Sequence, residues 1–288
     1  MKRSFSQRVK LDLCNITIKN NCCRRSFLYG YMFASRVFSR EAIEMRADSP
    51  DTNRCLRALM DDVFGIVCED GPKLTVKIPS ELDRIFGELG ENAHNTLNKD
   101  AFGCELCRQV FLRGAFVECG TVNAPGRSYH LEFIAPSDGR AEQIAELIAE
   151  FGMTPGIVDR PASNSTGVYF KGSEAVEDVL QIIGAQKAAF ELMNAKILRE
   201  LRGNANRCAN CDAANISKTV DAAQSQIEAI GRMLASGAED VPAELLETAK
   251  VRIENPNATL AELAALHDPP LTKSGVKHRL DRILKYAN

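Results

Sequence analysis

The chain repeats itself at an offset of 84 residues, and a duplication restricts the fold more sharply than composition does. Cys23-Arg24-Arg25-Ser26-Phe27-Leu28-Tyr29-Gly30 aligns with Cys107-Arg108-Gln109-Val110-Phe111-Leu112-Arg113-Gly114, and five of the eight positions agree. Each copy continues with a strand-like run (Ala42 to Ala47; Tyr129 to Ala135) and a helical pattern (Thr52 to Phe64; Arg140 to Phe151). A second strand (Leu74 to Ile78; Val168 to Lys171) and a second helix (Ser80 to Leu89; Ser173 to Ile183) complete each unit. The connections Ile66 to Cys68 and Gly156 to Val158 are candidates for one further strand in each copy. Two α/β half-repeats, about 18–95 and 102–190, account for the pattern. The opening helix of each carries a glycine, Gly30 or Gly114. A helical glycine costs about 1 kcal/mol relative to alanine, which close packing of the two helices would offset.

The last thirty residues read differently. Thr259 and Glu262 have the spacing of a capping box, so a helix should start there. Leu260, Leu263, Ala264 and Leu266 form its apolar stripe, and Asp268-Pro269-Pro270 stops it. From Lys273 the helical pattern resumes through Val276, Leu280, Ile283 and Leu284, with Lys277, His278, Arg279 and Arg282 on the other faces. Residues 269–288 carry a net charge of +4 in a chain whose total is −2. A short basic helix after a tight turn suits insertion into the major groove of DNA; a solvated amphipathic C-terminal helix is the alternative.

Length and composition exclude several classes. A chain of 288 residues with 45% hydrophobic and 26% charged residues suggests about two folded domains. No run has the apolar length of a membrane span, and Met1-Lys2-Arg3-Ser4-Phe5-Ser6-Gln7-Arg8 lacks the apolar stretch of a signal peptide. A cytoplasmic, nucleoid-associated protein with reduced thiols is expected, with no membrane partner and no cofactor. Ten cysteines are many for that location, but most lie within apolar patterns, where the thiol acts as a small hydrophobe. The pairs Cys104/Cys107 and Cys208/Cys211 together offer four thiolates to zinc. Their separation far exceeds the usual ribbon spacing, and the first pair falls within a helical pattern, so no metal is expected; Cys22-Cys23 carries less signal still.

Family resemblance enters with the motifs. Leu112-Arg113-Gly114-Ala115-Phe116-Val117-Glu118-Cys119-Gly120 resembles the LAGLIDADG helix of homing endonucleases, and Leu28 to Arg36 resembles an eroded copy. Three further stretches resemble the WhiA family of bacterial regulators, nearly in register along the whole chain: Asn206 to Asn215, Lys218 to Gln224, and Asp268 to Leu280. The resemblance implies an α+β fold: a duplicated LAGLIDADG-like αββαββα domain, then an all-α helix-turn-helix domain similar to sigma-factor region 4. It also implies a transcriptional regulator acting in cell division, chromosome segregation or sporulation.

LAGLIDADG enzymes hold a divalent metal on a carboxylate near the end of each such helix, where it activates water and neutralises charge on phosphorus. Here those positions are Cys119 and Ser35, poor ligands for magnesium. Glu118 is one residue away, about 100° around the helix, and is expected to point elsewhere. The four histidines, His94, His130, His267 and His278, are scattered, and no phosphate loop or dinucleotide fingerprint is present. His267 reads as a favourable charge at a helix C-terminus.

Residues 1–36 carry a net charge of +7, read here as solvated helix faces or partners for acids such as Glu142, Glu146 and Glu150, with a cationic face for the DNA backbone as the alternative. Glu177 to Arg202 reads as one long helix ending at Gly203-Asn204-Ala205-Asn206, which places the domain boundary at 202/203. The expected function is a non-enzymatic DNA-binding regulator, with a residual metal-dependent nuclease or a docking scaffold for a transcription factor as alternatives. The partner is double-stranded DNA, with another transcription factor or an RNA polymerase sigma factor as the further candidate. The expected contact residues are Thr272, Lys273, Ser274, Lys277 and His278, with Arg279 and Arg282 on backbone or groove.

Overall fold

A computed structural model of the chain describes residues 3–69, 71–236 and 241–286. It divides into two compact units between Arg199 and Glu200. The first unit begins with α1 (Phe5–Cys14), which the hydrophobic pattern alone did not disclose. Its signal is the Ser4/Gln7 capping box, in which each side chain takes the other residue's backbone N–H. The first repeat follows as α2 (Asn21–Ala34), β1 (Val37–Phe38), β2 (Ile43–Arg46), α3 (Pro50–Phe64), β3 (Lys73–Val76) and α4 (Pro79–Leu89). The second runs α5 (Leu106–Cys119), β4 (Gly120–Val122), β5 (His130–Ala135), α6 (Asp138–Ala149), β6 (Gly156–Arg160), β7 (Ser165–Lys171) and α7 (Ser173–Ile182).

The strands form two antiparallel sheets, β1-β2-β3 and β4-β5-β7-β6. Alternate residues of the central strands β2 and β5 enter the core, Ile43 and Met45 from β2 and Leu131, Phe133 and Ala135 from β5. The repeat is therefore incomplete at one edge. Gly156 to Val158 does become a strand, but Ile66 to Cys68 does not. There the Arg57 guanidinium donates to the carbonyls of Cys68, Glu69 and Gly71, satisfying by side chain the groups a ladder would have paired.

The two repeat helices pack backbone against backbone. A Cβ at Gly30 would stand 1.9 Å from the Phe111 carbonyl oxygen, and one at Gly114 would stand 1.9 Å from that of Phe27. These reciprocal contacts put the aromatic rings of the two helices together, with Tyr29 and Phe111 centroids 5.1 Å apart in an edge-to-face pair.

The basic amino-terminal segment is mostly consumed within the unit. Arg3 pairs with Asp51, Arg8 with Glu191, Lys10 with Asp48, Arg24 with Asp62 and Arg25 with Glu88. Charge pairing was the correct reading but the partners were not: Glu150 holds Lys99 and Arg108 instead.

One expected helix is replaced by two. α7 stops at Ile183 because Gly184 takes φ +89°, a conformation open to glycine, and α8 (Gln186–Ala235) starts after it. α8 then runs straight through Gly203, so the helix end expected there does not exist. In the second unit, the carboxyl-terminal part of α8 joins α9 (Ala243–Glu254), α10 (Leu260–Ala265) and α11 (Lys273–Tyr286) around a core of Ile230, Met233, Leu245, Leu263, Val276, Leu280 and Ile283. Among the described residues no helix is long and apolar enough to cross a membrane.

Candidate nucleic-acid interface

The capping box forms as spaced. Thr259 Oγ1 accepts from the Glu262 N–H at 3.3 Å, and the Glu262 carboxylate accepts from the Thr259 N–H at 2.8 Å. That backbone donor, with the Thr259 hydroxyl, holds the Glu262 carboxyl below its usual range. The turn after α10 is closed by the Leu271 N–H donating to the Ala264 carbonyl at 2.9 Å. Thr272 then starts α11, its hydroxyl accepting from the Gly275 N–H at 3.1 Å. Its role is to cap and orient the helix.

α11 presents two unlike faces. Val276, Leu280 and Ile283 are buried, while Lys273, Ser274, Lys277 and His278 are exposed at helical spacing on the opposite side. Among the described residues neither lysine makes an ion pair. Arg279 and Arg282, expected on backbone or groove, are paired with α9 in this structure. The Arg279 guanidinium lies 3.2 Å from Glu247 and 3.3 Å from the Glu244 carbonyl, and Arg282 bonds Glu244 at 2.5 Å. Two arginines of the basic helix are thus committed to α9, because Glu244 and Glu247 lie one turn apart on the helix that α11 packs against.

Two interior polar residues hold this arrangement, and neither was recognised as structural in the sequence. His267 is buried, with Nδ1 donating to the Leu263 carbonyl at 2.8 Å and Nε2 3.0 Å from the Thr248 hydroxyl. It ties α9 to α10 as a hydrogen-bonding core residue, rather than acting as an exposed charge at a helix end. Arg252 is also buried, donating to Gln226 Oε1 at 2.9 Å and to the Ala258 carbonyl at 2.6 Å. The asparagine-rich stretch with Asn206, Arg207, Asn210 and Asn215 lies on the exposed middle of α8.

At the foot of α2 and α5, where a nuclease of this fold would hold metal, the geometry is different. Ser35 is fully buried and its hydroxyl donates to the Tyr31 carbonyl at 2.9 Å. Burial pushes the Cys119 thiol up to about 12, so it stays protonated. Glu118 does not turn away from the helix foot: it lines a cavity of about 530 Å³ with Arg36, Val37, Glu44 and Arg46. One of its carboxylate oxygens is buried without a hydrogen-bond partner. Burial raises this carboxyl to about 7, against the opposing pull of the Tyr31 hydroxyl and Lys10, with Asp48 adding to the rise. With Arg36 and Arg46 in the same lining and Glu44 already paired with Lys73, this buried carboxyl is a poor seat for a hard divalent cation.

The sheets carry ion pairs of their own. Glu44 pairs with Lys73 across β2 and β3, and buried Glu132 on β5 takes two hydrogen bonds from Arg160, at 3.0 and 2.5 Å.

Comparison with known proteins finds two domain families in the chain. Residues 108–202 match the family model of the WhiA LAGLIDADG-like domain, and residues 205–287 match that of the WhiA C-terminal HTH domain. A probable cell division protein WhiA from Syntrophomonas wolfei is 31% identical, the alignment covering 97% of this chain and 96% of the relative. One from Clostridium perfringens is 33% identical, covering 99% and 97%. The crystal structure of full-length DUF199/WhiA from Thermotoga maritima is similar with a TM-score of 0.58 at 25% identity, covering 99% of this chain and 98% of that one. With a LAGLIDADG-like unit, a helix-turn-helix unit and relatives this similar over their whole length, the chain belongs to the WhiA family.

Proposed function

We propose that this protein is a non-enzymatic transcriptional regulator that reads double-stranded DNA through α11 and serves cell division, the role given in the names of its relatives. The observation that carries this reading is the exposed face of α11. Lys273, Ser274, Lys277 and His278 stand together on a capped, buried-backed helix, while its two arginines are held by α9. A rigid helix with a short polar and cationic face is suited to the major groove, where Lys and Ser meet base edges and flanking phosphates. Lys277 and His278 are assigned to base edges and Lys273 to the backbone. Arg279 and Arg282 act by holding α11 against α9. The non-enzymatic reading is supported by a thiol, Cys119, and a buried hydroxyl, Ser35, at the positions where LAGLIDADG enzymes carry their metal-binding carboxylates.

The test uses the full-length chain. Duplexes selected from a random pool by the wild type are bound across a salt series, with magnesium present. Lys277→Ala should reduce discrimination against mismatched duplexes, costing about 1–3 kcal/mol on the preferred site. Lys273→Ala should weaken all duplexes alike and reduce the salt slope by about one counterion. Wild-type affinity and slope in both variants would remove α11 from the interface, and magnesium-dependent nicking abolished by Glu118→Ala would establish a nuclease instead.

A further inference from the structure

The amino-terminal ends of the two repeat helices bring four thiols together. Cys22 and Cys23 lie in the first turn of α2, Cys107 in that of α5, and Cys104 just ahead of it. The Sγ separations are 3.7 Å for Cys22 to Cys104, 3.5 Å for Cys23 to Cys104, 3.6 Å for Cys104 to Cys107 and 4.0 Å for Cys23 to Cys107. All four sulfurs fall within 4.8 Å of one another. Sulfurs bound tetrahedrally to one zinc ion at about 2.3 Å stand about 3.8 Å apart; these four edges bracket that figure, and the remaining two stay within 4.8 Å. An iron–sulfur cluster interposes several irons and bridging sulfides, and would hold its thiolates further apart than a single ion does.

We propose that Cys22, Cys23, Cys104 and Cys107 form a structural zinc site that clamps the two repeat helices at their amino-terminal ends. The chemistry fits a closed, non-catalytic centre: four soft ligands of one kind, with no neighbouring carboxylate or histidine in the cluster. Two helix amino termini direct partial positive charge at the sulfurs. Cys23 and Cys107 occupy equivalent positions of the duplication, whereas Cys22 and Cys104 do not. The ion would thus cross-link the repeats at the end opposite the Glu118 cavity, beyond the Gly30–Gly114 contact. The sequence had set Cys104 and Cys107 beside Cys208 and Cys211, which are exposed on α8; the fold supplies Cys22 and Cys23 instead.

Full-length protein, purified under reducing conditions and equilibrated with zinc before gel filtration, should retain about one zinc per chain by elemental mass spectrometry. Cobalt exchanged into the same protein should show the thiolate-to-metal charge-transfer band and the strong visible bands of tetrahedral sulfur coordination. Cys104→Ser with Cys107→Ser should abolish retention, and Cys208→Ser with Cys211→Ser should leave it unchanged. Retention lost with the Cys208/Cys211 pair, or a wild-type chain that holds no zinc and gives no tetrahedral cobalt spectrum, would overturn the proposal. The wild-type measurements decide the matter even if the Cys104/Cys107 variant does not fold.

Discussion

Replacing Gly114 with alanine tests the packing that makes the two repeats one unit. The added methyl would stand 1.9 Å from the Phe27 carbonyl oxygen, 2.9 Å from its carbon and 3.0 Å from the Tyr31 nitrogen, all backbone atoms that no rotamer change can move. Restoring even a 3.0 Å contact requires α2 and α5 to separate by more than 1 Å. A gap of that size forfeits about a quarter to a half of the dispersion between facing atoms, and the faces concerned carry Phe27, Tyr29, Phe33 and Phe111. We expect a cost of about 3–5 kcal/mol, offset by about 1 kcal/mol from the better helix propensity of alanine. For a unit of this size the net loss corresponds to a fall in melting temperature on the order of 5–15 °C. Thermal unfolding followed by circular dichroism measures it, with Gly87→Ala as the control. Gly87 lies in α4 with no atom within 4 Å of the new methyl, so that variant should melt at or slightly above the wild-type temperature. Equal stability of Gly114→Ala and wild type, or equal losses at both glycines, would refute the reasoning.

Three further outcomes follow from particular contacts. Arg282→Ala, which breaks the pair with Glu244, should lower stability by about 0.5–1 kcal/mol while leaving the salt slope of DNA binding near wild type, a split read by pairing thermal melts with binding titrations. Arg252→Ala orphans the acceptors on Gln226 and Ala258 in a buried site and should cost about 2–3 kcal/mol; unchanged hydrogen exchange in α9 to α11 would contradict that role. The Glu118 carboxyl is raised from 4.5 to about 7 in the fold, so its contribution is fully present below about pH 4.5 and is lost as pH rises through 7. Glu118→Gln should therefore match wild type at acid pH and exceed it by about 3 kcal/mol at pH 8, in denaturant titrations at both values.

Much of the fold was legible because the signals are local. The capping box at Thr259 and Glu262, the Pro269-Pro270 stop and the apolar stripe of α11 each act within one or two helical turns, and each appears where the spacing placed it. The strands of β2, β3, β5 and β7 were found by alternation for the same reason. Errors arose where a distant side chain decided the outcome. Arg57 took the Cys68 carbonyl that a strand at Ile66 to Cys68 needed; Gly203, by contrast, lies inside α8 with no distant contact to account for it. The candidate site divided in the same way. Lys273, Ser274, Lys277 and His278 are exposed as the periodicity required, but nothing within α11 reveals that Glu244 and Glu247 hold Arg279 and Arg282.

By itself the sequence determined the duplication, the main helices and strands of each repeat, the basic terminal helix and the family, since these rest on residue order and short-range periodicity. Only the tertiary structure decided which charges remain unpaired, where Glu118 points, and that Cys22 and Cys23 meet Cys104 and Cys107. The physical reason is that burial and pairing depend on groups about 80 residues apart in the chain, brought together by the glycine-to-backbone contact of α2 with α5, and no local pattern encodes that distance.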